Sequence, residues 1–178
     1  MPRIIYDVAV TLDGFIAGRD DDVSIFPHTG DHVDAYQARL AQYSTVLMGR
    51  RTYEIGYRYG MRPGDLPYPH MAHHVLSRTL ALPYRSPVRV IRDDWVAHAR
   101  TVREGPGGDV YLCGGGMLAG LLARHGLVDL LRLKVAPIIA GDGIPLFAGL
   151  DRPLALHRRS ATTHASGVTY LEFAIARD

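Results

Sequence analysis

The period of hydrophobic and polar positions changes several times along the chain, and each change marks an element. From Ile4 to Thr11 the run IIYDVAVT is β-branched and apolar apart from Asp7, which predicts a buried strand. Leu12 to Gly18 is a glycine-bracketed loop leading into an acidic turn, Asp20-Asp21-Asp22. Between Asp31 and Tyr43 the apolar spacing becomes helical, with Val33, Tyr36, Leu40 and Tyr43 on one side and Asp31 at the N-cap position. Thr45 to Met48 predicts a second strand, ended by Gly49, and Thr52 to Tyr57 begins a helix. Arg58 to Pro69 carries Gly60, Pro63, Gly64, Pro67 and Pro69 and reads as an irregular loop.

His73 to Leu76 and Val88 to Ile91 predict two further strands, after which Asp93 or Asp94 caps a helix running to about Val102. Gly105 to Gly108 is a turn, Asp109 to Cys113 a strand, and Gly114-Gly115-Gly116 opens a helix through Arg124. Val128 to Ala136, Leu154 to Thr163 and the alternation Val168, Tyr170, Glu172, Ala174 predict three last strands without helices between them. No repeat or inter-domain linker interrupts residues 1–178. The pattern therefore predicts one α/β domain, with a mixed, mostly parallel sheet and antiparallel C-terminal strands.

Composition narrows the partners. A hydrophobic fraction of 47% and a charged fraction of 21% are those of an ordinary globular domain. The net charge of +2 is small, and the basic pairs Arg50-Arg51 and Arg158-Arg159 are too short for a nucleic-acid footprint. No apolar run approaches the roughly 18 residues of a membrane span, and the first residues lack the pattern of a signal peptide. A single cysteine, Cys113, excludes an internal disulfide. The expectation is a cytoplasmic protein acting on a small molecule, without nucleic-acid or membrane partners.

The chemistry is suggested by the residues at the exits of three strands, because ligands of open α/β sheets sit beyond the carboxyl ends of the strands. The second strand ends in Gly49-Arg50-Arg51-Thr52, another in Ser77-Arg78-Thr79, and a third in Gly114-Gly115-Gly116. Arginines, a hydroxyl and a side-chain-free turn are what a phosphorylated dinucleotide needs, arginine matching a 2′-phosphate through its fork of donors. Each piece alone also reads as an ordinary turn. Gly114-x-Gly116-x-x-Ala119 satisfies the fingerprint of standard dinucleotide-binding domains, but the position about 20 residues on is Lys134 rather than an acid.

Taken together, TLDGFIA at 11–17, VLMGRRTYE at 46–54, VLSR at 75–78, CGGG at 113–116 and VAPIIAGDGIPLF at 135–147 resemble the dihydrofolate-reductase-like superfamily. They are most similar to the reductase domain, RibD C-terminal, of riboflavin biosynthesis. The resemblance covers nearly the whole chain. It implies a three-layer fold and an NADPH-dependent reductase, in which Gly49, Arg50, Arg51 and Thr52 hold the 2′-phosphate and adjoining phosphates. Ser77 and Arg78 lie on the adenosine side, and Gly114, Gly115 and Gly116 against the pyrophosphate. Asp13 and Gly14 match a loop that closes on the nicotinamide. The implied substrate is a phosphoribosylaminopyrimidine; the alternatives are a dihydrofolate or pterin reductase, or a nucleotide-binding protein without catalysis.

The proton donor is open at this level. Asp31 reads as an acid or an N-cap, Asp34 as an acid or a solvated helix residue, and Asp13 as an acid or an Asp-Gly turn. His28 and His32 are separated by Gly30, which argues against a helical metal pair. The late strands leave a sheet edge, and the apolar, Gly- and Pro-rich segment 137–150 lies beside them. Both features, and the resemblance to stand-alone reductase domains, predict a homodimer whose interface uses that segment and the neighbouring strands.

Overall fold

In the computed structural model, which describes residues 1–176, the first strand, β1 (Ile4–Thr11), forms with its predicted limits. It is followed by β2 (Phe15–Ala17), α1 (Asp31–Leu40), β3 (Thr45–Gly49), α2 (Arg50–Ile55), β4 (Ala72–Leu76) and β5 (Arg89–Ile91). Then come α3 (Trp95–Glu104), β6 (Val110–Gly114), α4 (Gly116–Arg124), β7 (Leu130–Ala136), β8 (Ile144–Pro145), β9 (Leu156–Thr163) and β10 (Thr169–Ile175). Eight strands form one sheet in the order β5-β4-β3-β6-β1-β7-β10-β9. The first six are parallel, while β10 runs antiparallel to β7 and β9 antiparallel to β10. The fold is thus α/β with an antiparallel finish.

Alternation along the central strands sends side chains into two cores, one on each face of the sheet. Ile4, Tyr6, Val8, Leu47, Val110 and Leu112 pack with the apolar side of α4. Ile5, Val46, Met48, Val75 and Tyr111 pack with Leu40, Tyr43 and Tyr53 from the α1 and α2 side. Each such buried aliphatic side chain contributes about 1.5–3 kcal/mol relative to exposure. This second face also carries the polar residues of the site.

Several expectations are corrected. The helix predicted to reach Tyr43 stops at Leu40, because the chain turns there with Tyr43 N–H on Leu40 C=O. Asp31 does not cap it. Gly30 stands at the N-cap, and the Asp31 carboxylate accepts the Ala165 and Ser166 N–H groups of the β9–β10 turn at 2.9 and 3.2 Å. α2 begins two residues earlier than predicted and continues as a 3-10 turn over Gly56–Tyr59. Asp94 holds the N-cap position of α3, but through its carbonyl, which accepts His98 N–H, and not its side chain.

The apolar segment 137–150 rests in part on its own chain, with none of its residues fully buried. β8 pairs with β2, which no periodicity announced, and Leu146, Phe147 and Leu150 pack on the α4-side core. Phe147 meets the Tyr6 ring edge-to-face at 5.3 Å. The approach is possible because α4 carries Gly116 and Gly120, where a Cβ would stand 2.1 Å from Pro145 O and 1.9 Å from Ala148 O. Ile139 remains 74% exposed. Among the described residues, no helix is long and apolar enough to cross a membrane.

Candidate functional site

A cavity of roughly 1340 Å³ opens at the carboxyl ends of β3 and β6, lined from both the α1–α2 side and the α4 side of the sheet. Of the residues expected to hold a cofactor, Gly49, Arg50, Arg51, Thr52, Gly114, Gly115 and Gly116 line it together. Gly49 has an ordinary φ of −80° and nothing within 4 Å of a built Cβ, so neither conformation nor packing calls for glycine there. The space a side chain would take is left to the cavity. Gly114 and Gly115 adopt φ of +139° and +94°, conformations that L side chains resist. They turn the chain so that α4 starts at the cavity wall, with Gly116, Met117 and Leu118 of its first turn in the lining. The N–H groups of a first turn lack intrahelical partners and favour an anion.

The arginines are held in place by neighbours. Arg50 donates to Thr79 Oγ1 at 2.9 Å and lies 3.4 Å from Glu54. Arg51 donates to both oxygens of Asp21, which also lines the cavity. Ser77 and Arg78 stand outside the lining. Ser77 is buried, and its Oγ accepts the Thr79 and Leu80 N–H groups at 3.2 and 2.9 Å, shaping the turn after β4. Arg78 lies over the ring of Trp95, a lining residue, at 5.7 Å.

All three carboxylates expected as acids, Asp13, Asp31 and Asp34, are exposed and lie outside the lining. Asp13 accepts the Thr11 hydroxyl at 2.6 Å and the Ala140 and Gly141 N–H groups at 3.0 and 2.7 Å. These bonds, the Thr11 hydroxyl foremost, bring its pKa down to about 2. The loop expected to close is pinned by the same contacts and by Leu146 N–H on Gly14 O. Asp31 is likewise held at about 2, chiefly by Ala165 N–H. His32 has one ring nitrogen on Ser166 Oγ and the other on Pro27 O, at 2.9 and 3.2 Å, so neither is open to a metal.

The cavity also carries a polar group, drawn from α1, the loop before β4, β6 and β7, that no local pattern announced. Tyr36, Tyr68, Tyr111, Cys113 and Lys134 form it. The Tyr36 and Tyr111 hydroxyls are 2.7 Å apart, and Tyr68 Oη lies 3.6 Å from Cys113 Sγ. Burial raises the pKa of all three phenols and of the thiol, keeping them neutral. Lys134 Nζ sits 3.2 Å from the centroid of the Tyr36 ring and 3.7 Å from Asp7 Oδ1. Asp7 is wholly buried and also accepts Arg39 at 2.7 Å and the Tyr43 hydroxyl at 2.9 Å. The available signal was charge inside apolar strands, Asp7 in β1 and Arg132 and Lys134 in β7. Their side chains share a face because β1 and β7 pair in parallel, with Asp7 opposite Arg132 and Ala9 opposite Lys134.

With this geometry in view, the family model of the RibD C-terminal domain matches residues 2–170. The uncharacterized protein YyaP of Bacillus subtilis (strain 168) is 30% identical over 182 residues, covering 96% of this chain and 94% of that protein. A putative riboflavin biosynthesis protein from Shewanella sp. PV-4 superposes with a TM-score of 0.81 at 22% identity, covering 99% of this chain and all of the other. The Thermotoga maritima diaminohydroxyphosphoribosylaminopyrimidine deaminase/5-amino-6-(5-phosphoribosylamino)uracil reductase gives 0.69 at 16%, covering 98% of this chain and 57% of its own. Dihydrofolate reductase from Enterococcus faecalis, complexed with NADP(H), gives 0.68 at 17%, covering 98% and 97%. The fold is therefore dihydrofolate-reductase-like.

Proposed function

The chain belongs to the RibD C-terminal domain family, and from that premise we propose that it is an NADPH-dependent reductase of a heterocyclic small molecule. The substrate we assign is a phosphoribosylaminopyrimidine of the kind named for the Thermotoga maritima enzyme. The observation that carries this reading is the meeting of two unlike groups of residues in one cavity. Gly49 to Thr52, Gly114, Gly115 and the first turn of α4 form one group; Tyr36, Tyr68, Tyr111 and Lys134 form the other.

The first group fits a phosphorylated dinucleotide. Arg50 and Arg51 would hold the 2′-phosphate, and the first turn of α4 with Gly114 and Gly115 would take the pyrophosphate. NADPH, when bound, supplies the hydride. The tyrosines would lie against a flat ring and exclude water from it. The acids that a folate reading would use, Asp31 and Asp34, are outside the cavity, which favours the pyrimidine over dihydrofolate.

The test is oxidation of NADPH with 5-amino-6-(5-phosphoribosylamino)uracil, compared with dihydrofolate. Turnover of the pyrimidine is expected. Turnover of dihydrofolate alone would reverse the assignment of substrate, and turnover of neither would leave a nucleotide-binding protein without this catalysis.

A further inference from the structure

Lys134 is the only lysine among the twenty lysines and arginines of the sequence. It stands on β7, 9% exposed, in the wall of the cavity beside three tyrosines. At every other basic position the chain uses arginine, whose guanidinium does not give up its proton in a protein; an ammonium does.

The surroundings favour that loss. One carboxylate, Asp7, faces two cations. Arg39 of α1 takes Asp7 Oδ1 at 2.7 Å, while Lys134 Nζ is 3.7 Å from the same oxygen. Tyr43 Oη takes Asp7 Oδ2. Arg132, the other cation on this face of β7, is paired with Glu172 of β10 at 2.6 Å. Tyr36 from α1 and Tyr111 and Cys113 from β6 are held neutral by burial. Tyr170 of β10, lying under the Arg39 guanidinium, also has its pKa raised. With Lys134 protonated, the Asp7–Arg39–Lys134 group carries one uncompensated positive charge out of water, which is costly. With Lys134 neutral, Asp7 and Arg39 remain as a balanced pair.

We propose that Lys134 is the proton donor of the reduction assigned above, on which this inference rests. As the unsaturated carbon of the substrate gains hydride from NADPH, the π electrons of its C=N or C=O bond pass to the heteroatom. The heteroatom takes a proton from Lys134 Nζ, forming N–H or O–H. NADPH is oxidised, the substrate is reduced, and the neutral amine left beside Asp7 regains its proton from solvent. The phenols are weaker acids here, and Asp7 is already occupied by its donors. Burial, opposed by Asp7 and aided by Arg39, brings the Lys134 pKa down to about 8, so the group is mostly charged at neutral pH yet gives its proton readily.

Because the lysine is unique, protein labelled with [ε-13C]lysine carries one side-chain signal, and its titration by NMR reports Lys134 without any substrate. A midpoint near 8 is expected; a midpoint near the ordinary lysine value, about 10.4, overturns the proposal. In the NADPH oxidation assay with the pyrimidine and with dihydrofolate, wild-type kcat should fall as pH rises through the same midpoint. Lys134→Met and Lys134→Arg should lower kcat by about 100- to 10,000-fold, abolish that alkaline limb, and leave NADPH binding within about twofold. If wild type turns over and both variants keep its kcat and pH profile, the donor is not Lys134, while the reductase reading stands. Absence of turnover in wild type with either compound defeats the reductase reading, and this inference with it.

Discussion

Arg51 donates to both carboxylate oxygens of Asp21, at 2.8–3.0 Å, in the wall of the cavity where the 2′-phosphate of NADPH would bind. Phosphate and Asp21 would therefore compete for one guanidinium. Arg51→Ala should weaken NADPH far more than NADH, by about 1.5–3 kcal/mol for one lost charged hydrogen-bonded contact. Asp21→Asn should tighten NADPH about two- to fivefold, the modest gain expected where one partner of the displaced ion pair, Arg51, is solvent-exposed. Isothermal titration of both cofactors checks this; equal losses for NADPH and NADH in Arg51→Ala would show that the arginine does not read the 2′-phosphate.

Glycines of the cavity wall should separate binding from folding. At Gly49 a Cβ meets nothing and φ is ordinary, so Gly49→Ala should melt within about 1 kcal/mol of wild type while losing NADPH affinity. At Gly116 a Cβ would stand 2.1 Å from Pro145 O, so Gly116→Ala must push the 137–150 segment off α4. It should be destabilised by about 1–3 kcal/mol. Thermal unfolding and NADPH titration on the two variants check the contrast, which a stable Gly116→Ala would contradict.

A pH dependence of stability arises from His74, whose Nδ1 lies 2.9 Å from His98 Nε2. Burial, with His98 and Arg89 nearby, brings the His74 pKa down to about 4, and His98 is lowered too. The unfolded chain then binds more protons between about pH 6.5 and 4, so stability is full above pH 6.5 and lost as pH falls through that window. His74→Leu should lose about 1–2 kcal/mol less than wild type across it, a figure discounted for solvent near the ring. Denaturant unfolding at pH 7 and pH 4.5 measures the difference; the same loss in both proteins would contradict it.

Most strands were legible because each is a short apolar run cut off by glycine or proline, and in β1 the run and the element coincide. The glycine and arginine clusters at strand ends were legible for the same reason, since strand exits are where this architecture places ligands. Other features depend on distant partners. Asp31 has the local features of an N-cap, yet a turn more than 130 residues away takes its carboxylate. The two-residue strand β8 is too short to carry a period. Asp7 and Lys134 were passed over because their strands read as buried, and only the β1–β7 pairing brings the two side chains together.

We propose a homodimer whose interface uses segment 137–150 and the neighbouring strands. Of segment 137–150, Leu146, Phe147 and Leu150 pack on their own chain's core, while Ile139 and Leu12 are 74% and 68% exposed, with Leu12 N–H bonded to Ile138 O between them. β9 is one of the two edges of the sheet, exposed at all eight residues. An open strand edge of that length calls for a cover. Light scattering should give twice the 19.6 kDa chain mass, and Ile139→Asp should favour the monomer. A wild-type monomer at micromolar concentration would contradict it.

The most direct test of the central claim is a calorimetric titration of the wild-type chain with NADPH and NADH. A single site per chain is predicted, with NADPH bound at least tenfold tighter, the ratio for about 1.4 kcal/mol. No binding at millimolar NADPH, or equal affinity for the two cofactors, would contradict the account.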